Sequence, residues 1–287
     1  MKKFFIFAAF VIAMTGCSNE EIIPQESLKD TPITITAGVA ELTTRAGYEG
    51  TTNLPSTFYF SIDQDETDYD YTNVLMSKGD ANAYTPESSI YWAGGTTTTV
   101  NAYTTQGNTF TVQTYQNTTA GIEASDLLGA TSSDVTINEN NINIKFRHLL
   151  CKLDATYSWG TELDDATSKS IKSVQYEGFG MDATLNRETS AITAGSTIGS
   201  IFGYVNDIKS EAIFAPQTSN PKIVVVATID GIDRAFSVNV VAPSGGFVAG
   251  NRYTMEVAIG NDAVSSIDAS IVNGWGNSIQ GEDITAN

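Results

Sequence analysis

Between Ile33 and Val39, Ile33, Ile35, Ala37 and Val39 alternate with Thr34, Thr36 and Gly38. A period of two places each set on one face of an extended chain, so the segment reads as a strand with one buried face. Similar short runs follow at Thr57–Ile62, Thr98–Tyr103, Thr109–Tyr115, Asn141–Arg147 and Leu149–Tyr157. A second series covers Ile171–Tyr176, Ser200–Val205, Glu211–Phe214, Lys222–Ile229, Ala235–Val241, Arg252–Ala258 and Ser266–Val272. The links carry turn chemistry, and Asp230-Gly231 between two such runs predicts a hairpin. No window shows a capped helical stripe. Only 17% of residues are charged, and the polar remainder is largely Thr, Ser, Asn and Gly. The chain is therefore expected to be all-β and built from antiparallel β-sandwiches. Its 287 residues are about twice a typical domain, which points to two of them.

The phase of the central strands locates the division. Ile142, Ile144 and Phe146 share one parity, whereas Leu149, Cys151 and Leu153 have the other. Either a bulge at Arg147-His148 resets the register or the chain passes between sheets there. The boundary is placed near residue 153.

Charge and side-chain inventory restrict function. The formal net charge is −18, from 33 acidic and 15 basic residues, so no basic patch is available to neutralise nucleic-acid phosphates. His148 is the single histidine, which excludes a three-histidine zinc site and leaves one ring for any triad. There is no nucleophile elbow, phosphate loop or CxxC. The expectation is a non-enzymatic protein with no cofactor and no metal, and with His148 as a hydrogen-bonded structural residue. The acid-rich Asp63–Asp70 segment offers hard oxygen ligands but lacks the glycine and distal glutamate of an EF-hand loop, so it reads as a solvated hairpin tip. Trp92, Trp159 and Trp275 could stack sugars; for Trp92, packing at the edge of a core is the simpler account.

The N-terminus reads as an export signal. Lys2 and Lys3 precede an apolar run from Phe4 to Met14 that is too short to span a bilayer, and Met14-Thr15-Gly16-Cys17 is similar to a bacterial lipobox. The alternative is an ordinary signal peptide with a chance cysteine. In the lipobox reading, residues 1–16 are removed, Cys17 carries lipid, and 17–32 form a flexible tether. Losing Lys2 and Lys3 leaves 33 acidic against 13 basic residues, a formal −20. Such a chain must hold the outer membrane through acyl chains rather than charge. Cys151 is then left as a small buried thiol.

Arg45 is the informative site. It lies in a polar stretch directly after the alternating strand, where an arginine-specific protease could cut between Arg45 and Ala46. That cut would detach the strand spanning residues 33–44 and open an apolar groove with unpaired backbone groups. A strand from another molecule can fill such a groove. Ile267, Ala269 and Ile271 alternate near the C-terminus, ahead of Trp275, and are the candidate donor; the same alternation equally suits an ordinary core strand of the second domain.

Several segments then occur in order: the lipobox, Thr44-Arg45-Ala46, Tyr91-Trp92, Val100-Asn101-Ala102-Tyr103, Asp126-Leu127-Leu128-Gly129-Ala130, Ile144–Leu153, Gly250-Asn251-Arg252-Tyr253 and Ile271 to Trp275. Together they resemble the fimbrillin-like lipoproteins of Bacteroidetes, subunits of the type V pilus. Ser18-Asn19-Glu20-Glu21 is also similar to the acidic tether that directs some lipoproteins of that group to the cell surface. The resemblance implies two transthyretin-like β-sandwich domains, here 33–153 and 154–287. It also implies lipoprotein export, removal of the first strand after an arginine that matches Arg45, and strand exchange with other pilus subunits in a homo- or heteropolymer. The stalk, anchor or tip position stays open. The alternative function is a monomeric surface lipoprotein that binds glycan or host protein through loops and aromatics.

Mass spectrometry of the native protein is expected to find an acylated N-terminal Cys17. An unmodified Cys17, or cleavage elsewhere, contradicts the lipobox reading.

Overall fold

The structure is a computed structural model and describes residues 28–39, 47–95, 97–136, 140–261, 263–266, 269–272 and 284–286. Its strands in chain order begin with β1 (Thr34–Val39), β2 (Thr57–Asp63), β3 (Tyr71–Lys78), β4 (Ala83–Pro86) and β5 (Thr97–Tyr103). Then come β6 (Thr109–Thr111), a short helix α1 (Thr119–Glu123), β7 (Leu128–Thr136), β8 (Asn141–His148) and β9 (Cys151–Trp159). The series continues with β10 (Lys169–Gly180), β11 (Asp182–Leu185), β12 (Ile192–Ala194), β13 (Ile198–Phe202), β14 (Tyr204–Asn206) and β15 (Lys209–Phe214). It closes with β16 (Lys222–Ile229), β17 (Ile232–Asn239), β18 (Arg252–Ile259), β19 (Val264–Ser266), β20 (Ser270–Val272) and β21 (Ile284–Ala286). The protein is all-β, as its period-two runs require.

Two hydrophobic cores form. In the first, Phe58 of β2 meets Tyr84 of β4 and Phe146 of β8 edge to face, with centroids 4.7 and 5.1 Å apart. Its strands follow the order β1-β4-β3-β2-β5-β7-β8, and pairing of β8 back to β1 closes the ring. Among the described residues, β7 and β8 pair at Leu128↔His148 and Gly129↔Arg147. Along the rest of β8, β21 pairs antiparallel with it (Ile284↔Ile144) and buries Ile284 in the first core. The second core is threaded by successive edge-to-face contacts through Tyr176, Phe179, Phe214, Phe247 and Tyr253. It lies among the sheets β13-β10-β16-β17 and β14-β15-β9-β18-β19, with β20 also paired to β18.

The parity change has a structural reason. Ile142, Ile144 and Phe146 point into the first core, and Leu149, Leu150, Cys151 and Leu153 into the second. The chain thus passes between sheets at His148–Leu149, which resolves the two options in favour of passage rather than a bulge. Cys151 is fully buried, and burial pushes its thiol well above the ordinary range. Traffic between the cores also runs the other way. Residues 104–127 leave the first core, and Val112, Ile122 and Leu127 pack in the second. Tyr103 and Arg187 tie the two together: the guanidinium lies 4.6 Å from the Tyr103 ring centroid, and Tyr103 Oη donates to the Arg187 carbonyl at 2.7 Å.

The strands depart from the sequence reading in three places. The pairing is mixed rather than purely antiparallel, because β1 runs parallel to β8 and β9 parallel to β18. In each case the long intervening chain permits a parallel return. The run Thr109–Tyr115 keeps only β6 as strand. Ser200–Val205 divides into β13 and β14 around Gly203, where a Cβ would stand 2.4 Å from the Tyr176 ring. Of the run Ser266–Val272, Ser266 ends β19 and Ser270–Val272 forms β20, while residues 267–268 lie outside the described residues. The Asp230-Gly231 hairpin forms as expected, with φ of 48° and 80° at its two turn residues.

At the crossover, buried His148 Nδ1 lies 2.8 Å from Asp126 Oδ1, while Asp126 Oδ2 accepts from the Tyr48 amide at 3.3 Å. One carboxylate therefore holds the strand crossover and the chain just after the 40–46 segment. Asp126→Ala removes both acceptors and is expected to lower stability by about 1–3 kcal/mol in urea unfolding. An unchanged midpoint would show that the carboxylate is dispensable.

Candidate functional site: the first strand and its groove

β1 is held on both sides. Six consecutive residues, Thr34 to Val39, pair in parallel with Asn141 to Phe146 of β8. On the other edge Ile35 and Thr36 pair with Tyr84 and Ala83 of β4. The Ala37 amide donates to the Asn82 carbonyl (2.9 Å) and the Val39 amide to the Gly50 carbonyl (2.7 Å). The buried face is the one the alternation marks: Ile33, Ile35, Ala37 and Val39 are all buried, and Ala37 is fully enclosed. On the outer face Thr34 Oγ1 and Thr36 Oγ1 meet Asn141 and Asn143 of β8.

The lead-in to β1 is also anchored. Leu28 is buried, the Asp30 amide donates to the Trp92 carbonyl, and the Ile33 amide to that of Ile90. The acidic Asp63–Asp70 segment joins β2 to β3 and serves this anchoring. Glu66 pairs with Lys29 at 2.7 Å, and Tyr69 Oη donates to Asp30. Asp70 accepts from the Gln64 amide at 2.7 Å. Among the described residues no group of three or more metal-ligating side chains occurs. Trp92 is fully buried in the first core and offers no face for sugar stacking.

The energy of this arrangement decides what a cut can do. Leu28, Ile33, Ile35 and Val39 together represent about 6–12 kcal/mol of apolar burial, comparable with the roughly 5–15 kcal/mol stability of a whole domain. Cutting the backbone beyond β1 therefore does not by itself release the strand. An exchanging strand must replace the buried side chains and the ladder together.

The other sequence candidates fall as follows. Cys17, Arg45, Ala46, Ile267 and Trp275 lie outside the described residues. β1 ends at Val39, six positions before Arg45, and the description resumes at Gly47. Ala269 is buried in the second core, while Ile271, on β20 opposite Tyr253, is 51% exposed. The partners of β1 were the part that sequence reasoning missed. β4 is four residues long, too short for its alternation to register, and a parallel pairing between residues about a hundred positions apart leaves no local trace.

A family model for fimbrillin-like proteins matches residues 44–275. The chain is 28% identical over 234 residues to the candidate fimbrium subunit Fim1C of Bacteroides uniformis, a match covering 76% of this chain and 65% of that one. The chain thus spans just under two thirds of that relative's length. Its fold is similar to crystal structures of candidate cell adhesion proteins from Bacteroides uniformis (TM-score 0.63, 22% identity, 86% of this chain and 99% of that one) and Bacteroides ovatus (TM-score 0.65, 16% identity, 86% and 98%). It is also similar to the C-terminally truncated tip fimbrial protein Mfa3 of Porphyromonas gingivalis, at TM-score 0.52 and 9% identity over 85% of this chain and all of that one. With the family model matched from the 40–46 segment to beyond β20, the chain belongs to the fimbrillin-like family.

Proposed function

We propose that this protein is a structural subunit of a cell-surface fimbria that polymerises by strand exchange. The observation that carries the reading is the seating of β1: the first strand of the described residues, buried on one face and paired on both edges, that ends six residues before Arg45. The fimbrial and adhesion proteins similar to this chain support a place on the cell surface and assembly with other pilus subunits. In this reading the chain is exported with lipid on Cys17 and comprises two transthyretin-like sandwich domains divided near residue 153. Cleavage between Arg45 and Ala46 frees β1 to be displaced, and the vacated groove receives a strand from the next subunit.

The donor is the segment carrying Ile267, Ala269 and Ile271. Its order of large, small and large side chains matches Ile35, Ala37 and Val39, and the small central residue suits the fully enclosed position of Ala37. Among the described residues of this segment, Ser270–Val272 pairs with β18, a three-residue contact that can be given up. Half-exposed Ile271 makes a test that spares the fold. Electron microscopy of the Arg45-cleaved protein is expected to show fibres, with none from an Arg45→Ala chain treated alike. Cleaved Ile271→Asp protein is expected to stay folded and form few or no fibres. Fibres of ordinary length from that variant rule out this donor, and fibres from uncut chains rule out the cleavage step.

A further inference from the structure

The sheet β14-β15-β9-β18 carries a second constellation, one member of which, Tyr204, also packs against the second core. In-register pairing sets Tyr204, Glu211, Asp154 and Thr254 side by side across four strands. On one flank lie Lys152 and Arg252, neighbours across β9 and β18; on the other lie Lys209 and Thr156. These side chains line a cavity of about 140 Å³, except Lys152, which pairs with the lining residue Glu211. That volume is well below the roughly 300–1,000 Å³ of sites for drug-sized ligands.

The charges here are costly. Lys152 is 1% exposed and paired with Glu211, itself 6% exposed, while Arg252 Nε donates to Asp154 Oδ2 at 2.6 Å. Desolvation, the largest influence on Glu211, pushes its carboxyl up despite the opposing Lys152. Buried ion pairs of this kind return little stability, so the fold alone gives no reason for them. Asp154 Oδ1 is buried and has no hydrogen-bond donor among the described residues, with Lys152 Nζ 4.0 Å away. A buried acceptor in that condition calls for a donor from outside.

The chemistry selects the donor. Carboxylates at Asp154 and Glu211 repel anions, and Lys209 and Arg252 repel cations. The paired charges leave acceptors and donors interleaved within one small cavity beside an aromatic side chain. A sugar hydroxyl both donates and accepts, so a ring bearing several of them uses this mixture, and bonds to ionised partners are the stronger kind. Four sheet strands hold the groups rigidly, so little ordering is needed on binding. We propose that this cavity binds a single neutral pyranose, free or at the end of a glycan, independently of fibre assembly.

The test is saturation-transfer NMR on the uncut monomer with glucose, galactose, mannose and N-acetylglucosamine in turn. Saturable transfer is expected for at least one of them. Lys209→Ala and Tyr204→Phe, at the cavity rim, are expected to weaken it about tenfold, the equivalent of one good contact, with unchanged thermal unfolding; the Tyr204 ring packs on the second core and is therefore kept. Asp154→Asn is expected to weaken it as well, but the rim variants decide the question if that buried change unfolds the protein. No transfer from any of the four sugars, or equal affinity in both rim variants, overturns the proposal.

Discussion

The in-register seating of β1 between β8 and β4 is the interaction on which the first core depends. A sheet edge exposes a row of amides and carbonyls, and β8 meets this on both sides. β1 runs along one edge from Asn141 to Phe146, and β7 with β21 shares the other. Remove β1 and the ring opens at β8 and β4 together, with the pocket for Ile35, Ala37 and Val39 laid bare. The apolar burial involved is too large for the strand to leave unreplaced. That constraint makes exchange, rather than simple loss, the physically reasonable fate of a cut strand.

The two cores share a plan. In each, the first strand pairs in parallel with a late strand: β1 with β8, and β9 with β18. The connections between the cores are not confined to one linker. The chain crosses at His148, residues 112–127 pack on the second core, Arg187 reaches back to Tyr103, and β21 returns to β8. The Asp126 carboxylate stands at this junction and also holds the Tyr48 amide. A new chain end made at Ala46 would therefore emerge two residues from a fixed point on the junction.

Much of this was legible in the sequence wherever the signal is local. The alternation at Ile33–Val39 marks the buried face of β1 residue by residue, Asp230-Gly231 marks a tight hairpin, and the parity change between Phe146 and Leu149 marks the passage between cores. What escaped depends on distance or on weak patterning. β7 carries Gly129, Thr131 and Ser132 where a stronger alternation would be needed, and β3 mixes Thr72 and Asn73 into its start. The return of β21 cannot be inferred from three residues. The cavity beside Tyr204 escaped for a related reason. Its charges sit at alternate positions on β9, β15 and β18, and only the register brings Asp154, Glu211 and Arg252 together.

In the proposed assembly, β1 occupies the groove only until a neighbour's strand takes its place. Mass spectrometry of washed fibres measures this directly. Strand exchange predicts subunits that begin at Ala46, with peptides from residues 28–45 absent. Fibres that retain the β1 peptide in equal amount with the rest of the chain would contradict it.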